Sequence, residues 1–487
     1  MTTITAARHR SRAPQEKPEE PAPSAQSVPS RIKYKSEGIH DLQVTWRSID
    51  ELKPAARNAR THSKKQIEQI SASIRRFGFN NPILIDADNA IIAGHGRLLA
   101  AERLGWKQVP TVRLDHLSDA EKRAYILADN KLAEKAGWDL DLLRLELQGL
   151  LEIDEFEIEI TGFDTVEIDR LIEAPYLAEE GTEDAVPALK ENEPPVSRPG
   201  DLWLLGRHRV LCGNALDAAA YDRLMEGQKA QMVITDPPFN VKVDGHVCGT
   251  GRIKHRPFLM ASGEMSAPEF EAFLTTAFRH MATNSEDGAI AFAFMDWRHM
   301  SEVIAAGKSA FTELKNLIVW AKDNAGMGSF YRSQHELIFA FKNGTAPTIN
   351  NFLLGETGRY RTNVWQYPGA NTFRRGRLED LADHPTVKPV ALIADAIRDC
   401  SRRKGIILDP FLGSGTTILA AERTGRVARG MELDPRYVDV ILRRWTASGG
   451  APPQHAESGG TFDDVAEERD APADLPAASA DREADYG

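Results

Sequence analysis

Apolar and polar positions follow two rhythms along this chain. Over residues 64–77 the apolar positions recur at helical spacing, with Ile67, Ile70, Ile74 and Phe77 on one face and Gly78 to close the helix. Short apolar runs around it read as strands: one from Leu42, one after Asn81, one over Ala90–Ala93 and the run VPTVRL. GHGRLLAAERLGW, residues 94–106, opens a helix from a glycine turn, and residues 118–139 read as further helix. Residues 136–172 look helical and then strand-like, and are expected to pack on the first domain. Residues 173–200 carry Pro, Glu and Gly without periodicity and read as a linker.

After residue 200 the rhythms alternate. Strands are expected at Arg209–Cys212, Ala230–Thr235, Ala289–Met295, Asn316–Ala321, His335–Lys342, Gly405–Leu408 and Val427–Leu433. Helices are expected at Leu216–Glu226, Pro268–Ala282, Ser301–Ala310, Val387–Cys400 and Thr416–Arg423. This alternation predicts an α/β domain: a Rossmann-like, mostly parallel sheet with helices on both faces.

Composition adds bounds. The chain has 487 residues, 42% hydrophobic and 27% charged, which is ordinary for a water-soluble globular protein. No apolar run approaches the ~20 residues of a membrane span, and the N-terminal stretch lacks the apolar core of a secretory signal. Cys212, Cys248 and Cys400 are too scattered for a zinc site and too few for a disulfide scaffold, so a cytoplasmic setting is expected. The net charge of −11 looks unsuited to nucleic acid, but its distribution matters more. Residues 1–40 carry +3, 173–200 carry −5 and 451–487 carry −8, leaving the rest at −1. The expected organisation is a disordered basic N-terminus (1–40), a first domain (41–135), a helical extension (136–172), an acidic linker (173–200), a second domain (201–446) and a disordered acidic tail (447–487).

Two stretches carry chemistry in the second domain. In GIILDPFLGSGTT, residues 405–417, a buried strand runs through Asp409 into a glycine turn that opens a helix. Such turns let a ligand approach the backbone at Gly413 and Gly415. Glu432 follows Gly413 by 19 residues, the distance at which an acid reaches a ribose hydroxyl pair. A plain tight turn also fits this stretch alone. The second is Asp236-Pro237-Pro238-Phe239, at the carboxyl end of the AQMVIT strand. Two prolines fix the backbone and leave carbonyls without competing N–H donors. A carboxylate and a carbonyl there can accept both hydrogens of an exocyclic amine, and Phe239 offers a face for a planar ring.

Together with His384-Pro-Thr-Val-Lys-Pro389 and Gly430-Met-Glu-Leu-Asp434, these stretches resemble the β-group DNA amino-methyltransferases, over about residues 200–446. The resemblance implies S-adenosylmethionine as cofactor and no metal. Glu432 would bind the ribose hydroxyls, and Phe411 would pack on the adenine. Asp409, Gly413, Gly415 and Thr416 would hold the methionine end, with His384, Thr386 and Lys388 closing over it. Cys212, Asn214 and Ala215 would reach the adenine edge. A target-recognition insert is expected at about 240–382. The implied reaction is methyl transfer to a flipped base, by preference adenine N6; cytosine N4 is the alternative within the family, and a non-catalytic DNA-binding adaptor the alternative outside it.

Double-stranded DNA is then the expected partner. Residues 358–377 hold Arg359, Arg361, Arg374, Arg375 and Arg377 with no acid, interleaved with Tyr360, Trp365, Tyr367 and Phe373. Arg252 and Lys254 belong to a second basic cluster; both stretches suit phosphate contact and base stacking, and both also fit solvated loops. Tyr331, Arg332 and His335 are candidates for the target pocket.

The first domain resembles the ParB N-terminal and sulfiredoxin-like α+β domains over about residues 42–135. Arg57–Arg60, Gly94–Ala101 and Ala128–Lys131 correspond to its boxes, the last without the family's Glu-Asn pair. Gly94, Gly96 and Arg97, at a helix N-terminus, would face a phosphate, and CTP or another nucleotide is the implied ligand. No partition-type helix-turn-helix is recognised after it. A homodimer is a further expectation, and the fusion favours an orphan enzyme over half of a restriction–modification pair.

Overall fold

The computed structural model describes residues 42–55, 58–153, 156–173, 185–187, 189, 193–241, 260–325, 330–352, 361–369 and 387–470. The chain divides after Gly137 into two compact units.

In the first unit, β1 (Val44–Ser48), α1 (Lys64–Phe77), β2 (Ile83–Ile85), β3 (Ile91–Ala93), α2 (His95–Arg103), β4 (Gln108–Arg113) and α3 (Asp119–Ala133) follow the expected order. The sheet order is β1-β4-β2-β3, with β2 and β4 parallel and the outer pairs antiparallel. Ile83, Ile85, Ile91, Leu98 and Val109 form its core. Ser63 caps α1 by accepting from the Gln66 N–H, and Ser118 with Glu121 forms a capping box at α3.

The second unit starts with helices rather than a strand. Residues 136–172 fold as α4 (Leu140–Leu151), a 3₁₀ turn over Ile158–Thr161 and α5 (Thr165–Glu173). The acid–apolar alternation of EIDEFEIEI imitates a strand, but Ile158 is buried with Leu147, Ile168 and Ile172 in a small helical core. This segment belongs to the second unit, not the first. Asp169 on α5 accepts from Arg426 at 2.9 and 3.1 Å and pairs with Arg403 at 2.6 Å, and the Arg426 side chain is fully buried.

The main body comprises β5 (Leu202–Leu205), β6 (His208–Cys212), α6 (Ala218–Met225), β7 (Ala230–Thr235), α7 (Ala267–Thr283), β8 (Ser285–Met295), α8 (Met300–Ala310), β9 (Glu313–Ala321), β10 (His335–Lys342), β11 (Val364–Gln366), α9 (Val390–Cys400), β12 (Ile406–Asp409), α10 (Thr416–Thr424), β13 (Val427–Glu432), α11 (Pro435–Ala447), β14 (Gln454–His455) and α12 (Phe462–Asp470). The sheet order is β11-β9-β10-β8-β7-β12-β13-β6-β5-β14. The five strands from β8 to β6 are parallel, and antiparallel strands flank them on both sides.

Continuous apolar strands mean burial on both faces. Along β7 and β8, Met232, Ile234, Ile290, Phe292 and Phe294 point into one core, which α9, α10 and α11 cover. Val233, Ala291, Ala293 and Met295 point into the other, against α6, α7 and α8. Only a strand period of two sorts consecutive apolar residues in this way.

Two expected boundaries move. The domain does not begin at residue 201: the backbone N–H groups of Val196 and Ser197 donate to Asp439 on α11 at 2.8 and 3.0 Å. Nor is the acidic tail wholly without structure. Residues 447–470 carry β14, which pairs with β5, and α12. His455 and Phe462 pack on Trp203 with ring centroids 5.1 and 5.7 Å apart, Val465 is buried, and Arg469 pairs bidentately with Asp201 at 2.6 and 3.0 Å. Packing by His455, Phe462 and Val465, with ion pairs that include Arg469–Asp201 and Arg223–Glu457, holds a segment whose average composition is that of a disordered chain.

Candidate active site

The carboxyl ends of β6, β7, β8, β12 and β13 face one cavity of about 250 Å³, where open α/β sheets place their ligands. Its walls include Asn214, Asp236, Pro237, Pro238, Phe239, Lys388, Asp409, Phe411, Gly413, Thr416 and Glu432. The fold thus brings together motifs separated by almost 200 residues.

The turn after β7 is fixed by chemistry on both sides of the prolines. Asn240 has φ of +52° and is buried. Its Nδ2 donates to the Met265 carbonyl at 2.8 Å, and its Oδ1 accepts from the Gly263 and Met265 N–H groups at 3.1 and 3.2 Å. That leaves Asp236 aimed at the cavity. Its Oδ2 accepts from Lys388 Nζ at 2.5 Å, while its Oδ1 is buried with no partner among the described residues. Burial pushes the Asp236 carboxyl up, against the downward pull of Lys388.

Opposite lies the glycine turn. Asp409 accepts from the Phe411 N–H at 3.1 Å and the Thr417 hydroxyl at 2.5 Å. Glu432 accepts from the Gly413 N–H and the Asp434 N–H, both at 2.9 Å. Each Glu432 oxygen keeps a lone pair for a further donor. Burial raises both carboxyls to about 7, only partly offset by these hydrogen bonds. Arg444 on α11 fastens the turn by donating to the Ser414 carbonyl at 3.1 Å and to Thr416 Oγ1 at 3.1 Å.

The two glycines differ. Gly413 has φ of +54°, lines the cavity, and a methyl built on it meets no heavy atom within 4 Å. Gly415, with φ of +84°, is absent from the cavity wall, and a methyl there would lie 2.9 Å from Ile441. Gly415 serves helix packing, not ligand approach. Cys212 is also turned into the core, where burial pushes its thiol up to about 12; Gly213, Asn214 and Ala215 line the cavity instead.

The expected DNA-contacting residues fare unevenly. Arg361 is not a free phosphate ligand. It donates to Asp399 at 3.1 Å and to the Tyr367 hydroxyl at 3.0 Å, pairs with Asp395 at 3.3 Å and lies 4.8 Å from the Trp365 ring centre. Trp365 is core, and the Tyr367 hydroxyl donates to Asp395. A short arginine-rich run cannot reveal that carboxylates elsewhere in the chain neutralise one member. Arg252, Lys254, Arg359, Arg374, Arg375, Arg377, His384 and Thr386 lie outside the described residues. Phe330 and Tyr331 are more than 80% exposed, ahead of β10. Glu336, Asp296, Arg298 and Tyr437 also line the cavity, and no motif points to them.

In the first unit, Gly94 has φ of +106° and caps α2. A methyl on Gly94 would lie 2.9 Å from the Arg97 guanidinium, whose Nη2 donates to the Pro82 carbonyl at 3.3 Å. His95 Nε2 accepts from the Ala55 N–H at 3.1 Å.

Family models match the chain in three places: a DNA methylase model over residues 230–443, a ParB N-terminal domain model over 33–131 and a ParB-methyltransferase HTH domain model over 141–199. The second unit thus carries a DNA methylase domain and the first a ParB-like N-terminal domain. The third match corrects the expectation that no helix-turn-helix follows that domain: it spans α4, α5 and the stretch read as a linker. Residues of the ParB-like part are 49% identical to the ParB-like nuclease domain-containing protein YnaK of Escherichia coli (strain K12), over 17% of this chain and 94% of YnaK. The DNA adenine methyltransferase YhdJ of the same organism is 24% identical over 47% of this chain and 80% of YhdJ. The M1.HpyAVI–SAM complex is 20% identical with a TM-score of 0.36, over 48% of this chain and 97% of that one. This methylase family uses S-adenosylmethionine as its methyl donor.

The cavity fits that donor: Gly413 leaves room beside its backbone, and each Glu432 oxygen, engaged by one backbone N–H, keeps a lone pair for a further donor. No described helix is long and apolar enough to cross a membrane, and no metal-binding cluster of His, Cys, Asp or Glu occurs among the described residues.

Proposed function

We propose that this methyltransferase acts on adenine N6 of double-stranded DNA, taking the base flipped out of the duplex. The observation that supports amine chemistry is the buried Oδ1 of Asp236, without a partner among the described residues, on a side chain that lines the same cavity as Gly413 and Glu432. The Asp-Pro-Pro-Phe form of residues 236–239 is what leans the choice to adenine. An exocyclic amine is a poor nucleophile because its lone pair is delocalised into the ring. Asp236 Oδ1 and the Pro237 carbonyl accept its two N–H bonds and favour a tetrahedral nitrogen whose lone pair faces the methyl group. Phe239 stacks on the extruded base. S-adenosylmethionine supplies the methyl; the nitrogen gains it and gives up one proton. Glu432 holds the ribose, Phe411 and Asn214 the adenine, and Asp409, Gly413 and Thr416 the methionine end, with His384 and Lys388 alongside. Arg252, Lys254, Arg359, Arg374, Arg375 and Arg377 grip phosphates.

The test is methylation of unmethylated genomic DNA followed by digestion to nucleosides. N6-methyladenine is expected; N4-methylcytosine would overturn the adenine assignment. The ParB-like domain takes CTP or a related nucleotide at Gly94, Gly96 and Arg97, which calorimetry with CTP checks.

A further inference from the structure

Glu336 stands outside every motif above, yet it faces the reacting end of the cavity. It sits near the start of β10, which runs antiparallel to β8 with Leu337 opposite Met295, so it lies beside the carboxyl ends of β8 and β7. There it joins a row of four charges. Lys322 Nζ donates to Glu336 Oε1 at 2.5 Å, Glu336 Oε2 lies 3.4 Å from Lys388 Nζ, and Lys388 Nζ donates to Asp236 Oδ2 at 2.5 Å. The centre of the row is its driest point: the Lys388 side chain is 7% exposed, between the rings of Phe294 at 5.2 Å and Phe239 at 5.7 Å. Lys322 lies 4.4 Å from the Trp320 ring centre at the outer end.

A buried ammonium with one carboxylate partner neutralises it and weakens it as an acceptor. A second carboxylate on the same ammonium draws part of that attraction away, and Lys322 tempers the second carboxylate in turn. We propose that Glu336 is a positioning residue for methyl transfer: acting through Lys388, it fixes the orientation and ionisation of Asp236 so that Oδ1 stays free for the target amine. This rests on the assignment of Asp236 as the amine's acceptor. The electrostatics agree. Burial raises Glu336, but the Lys388 and Lys322 ammonium groups outweigh it and hold the carboxyl below the usual carboxylate range, which favours a negative charge beside Asp236. Asp296, Arg298, Asp409, Glu432 and Asp434 are the other charged groups on the cavity wall.

The test is the single-turnover rate of methyl incorporation into unmethylated genomic DNA, against pH, for the full chain and the variants E336Q, K322Q and D236N. S-adenosylmethionine binding by calorimetry reports on the fold. E336Q is expected to lower the rate roughly 10- to 100-fold. It should also move the acid limb of the profile to lower pH, because removing a neighbouring negative charge makes Asp236 more acidic. K322Q should move the same limb to higher pH, since it removes a positive charge that lowers Asp236 and leaves Glu336 to draw on Lys388 alone. Opposite movements support the proposal; a packing role would lower rates without moving either limb. Unmoved limbs, or movement in the same direction, overturn it. If E336Q does not fold, K322Q alone decides, and an unmoved or downward limb overturns the proposal. D236N separates the two layers: wild-type turnover in D236N would sink the Asp236 assignment itself. A dead D236N with unmoved limbs in the other two would sink only the role of Glu336.

Discussion

Gly413→Ala and Gly415→Ala make a paired prediction, because the two positions have similar backbone strain and opposite surroundings. At φ of +54° and +84°, an alanine costs about 1 kcal/mol of backbone energy at either site. At Gly415 the new methyl also sits 2.9 Å from Ile441, and overpacking of that kind adds about 1–3 kcal/mol. Gly415→Ala is therefore expected to destabilise the second unit by about 2–4 kcal/mol, against about 1 kcal/mol for Gly413→Ala. Cofactor binding should order the other way. The Gly413 methyl enters open space on the cavity wall, where the donor must approach the backbone. Losing that approach is expected to cost tenfold or more in affinity, about 1.4 kcal/mol, and Gly413→Val should abolish binding. Thermal and denaturant unfolding measure the first quantity and calorimetry with S-adenosylmethionine the second. If Gly413→Ala bound the donor like wild type, or proved the more destabilising of the two, the assignment of these glycines would be wrong.

Asp169→Ala should destabilise the second unit by about 3–5 kcal/mol in denaturant unfolding, since it leaves the fully buried Arg426 guanidinium without its carboxylate. Arg469→Ala should expose the 447–470 segment to limited proteolysis, because Asp201 then loses its bidentate partner and α12 its polar anchor. Asp409 and Glu432 give a pH signature. Their folded-state values near 7 lie above those of the unfolded chain, so their contribution to stability is present at low pH and lost as pH rises through about 7. Donor binding runs the opposite way. Ribose hydroxyls donate to the ionised Glu432, so affinity measured by calorimetry should tighten across the same range, and Glu432→Gln should flatten that dependence.

What the sequence shows of this protein follows from how local each signal is. Asp236, Asp409 and Glu432 are legible because each ends an apolar strand, and the βα alternation places all three strand ends on one side of a sheet. Glu336 was not legible, since its partners Lys322 and Lys388 are distant in sequence and its own neighbours are an ordinary apolar strand. The same holds for Arg361, whose charge is consumed by Asp395 and Asp399, and for Asp169, whose partner Arg426 lies 257 residues away. The folded tail was hidden by averaging: acids dominate its composition, while His455, Phe462 and Val465 carry its docking. Edge strands β11 and β14, three and two residues long, are too short to show a period.

The central claim is that Asp236 receives the amine of an adenine. Its most direct test is mass spectrometry of nucleosides from unmethylated genomic DNA incubated with S-adenosylmethionine and either the wild-type chain or Asp236→Ala. N6-methyladenine from the wild type and none from a variant that still binds the donor is the expected result. N6-methyladenine at wild-type levels from Asp236→Ala, or N4-methylcytosine as the wild-type product, would contradict it.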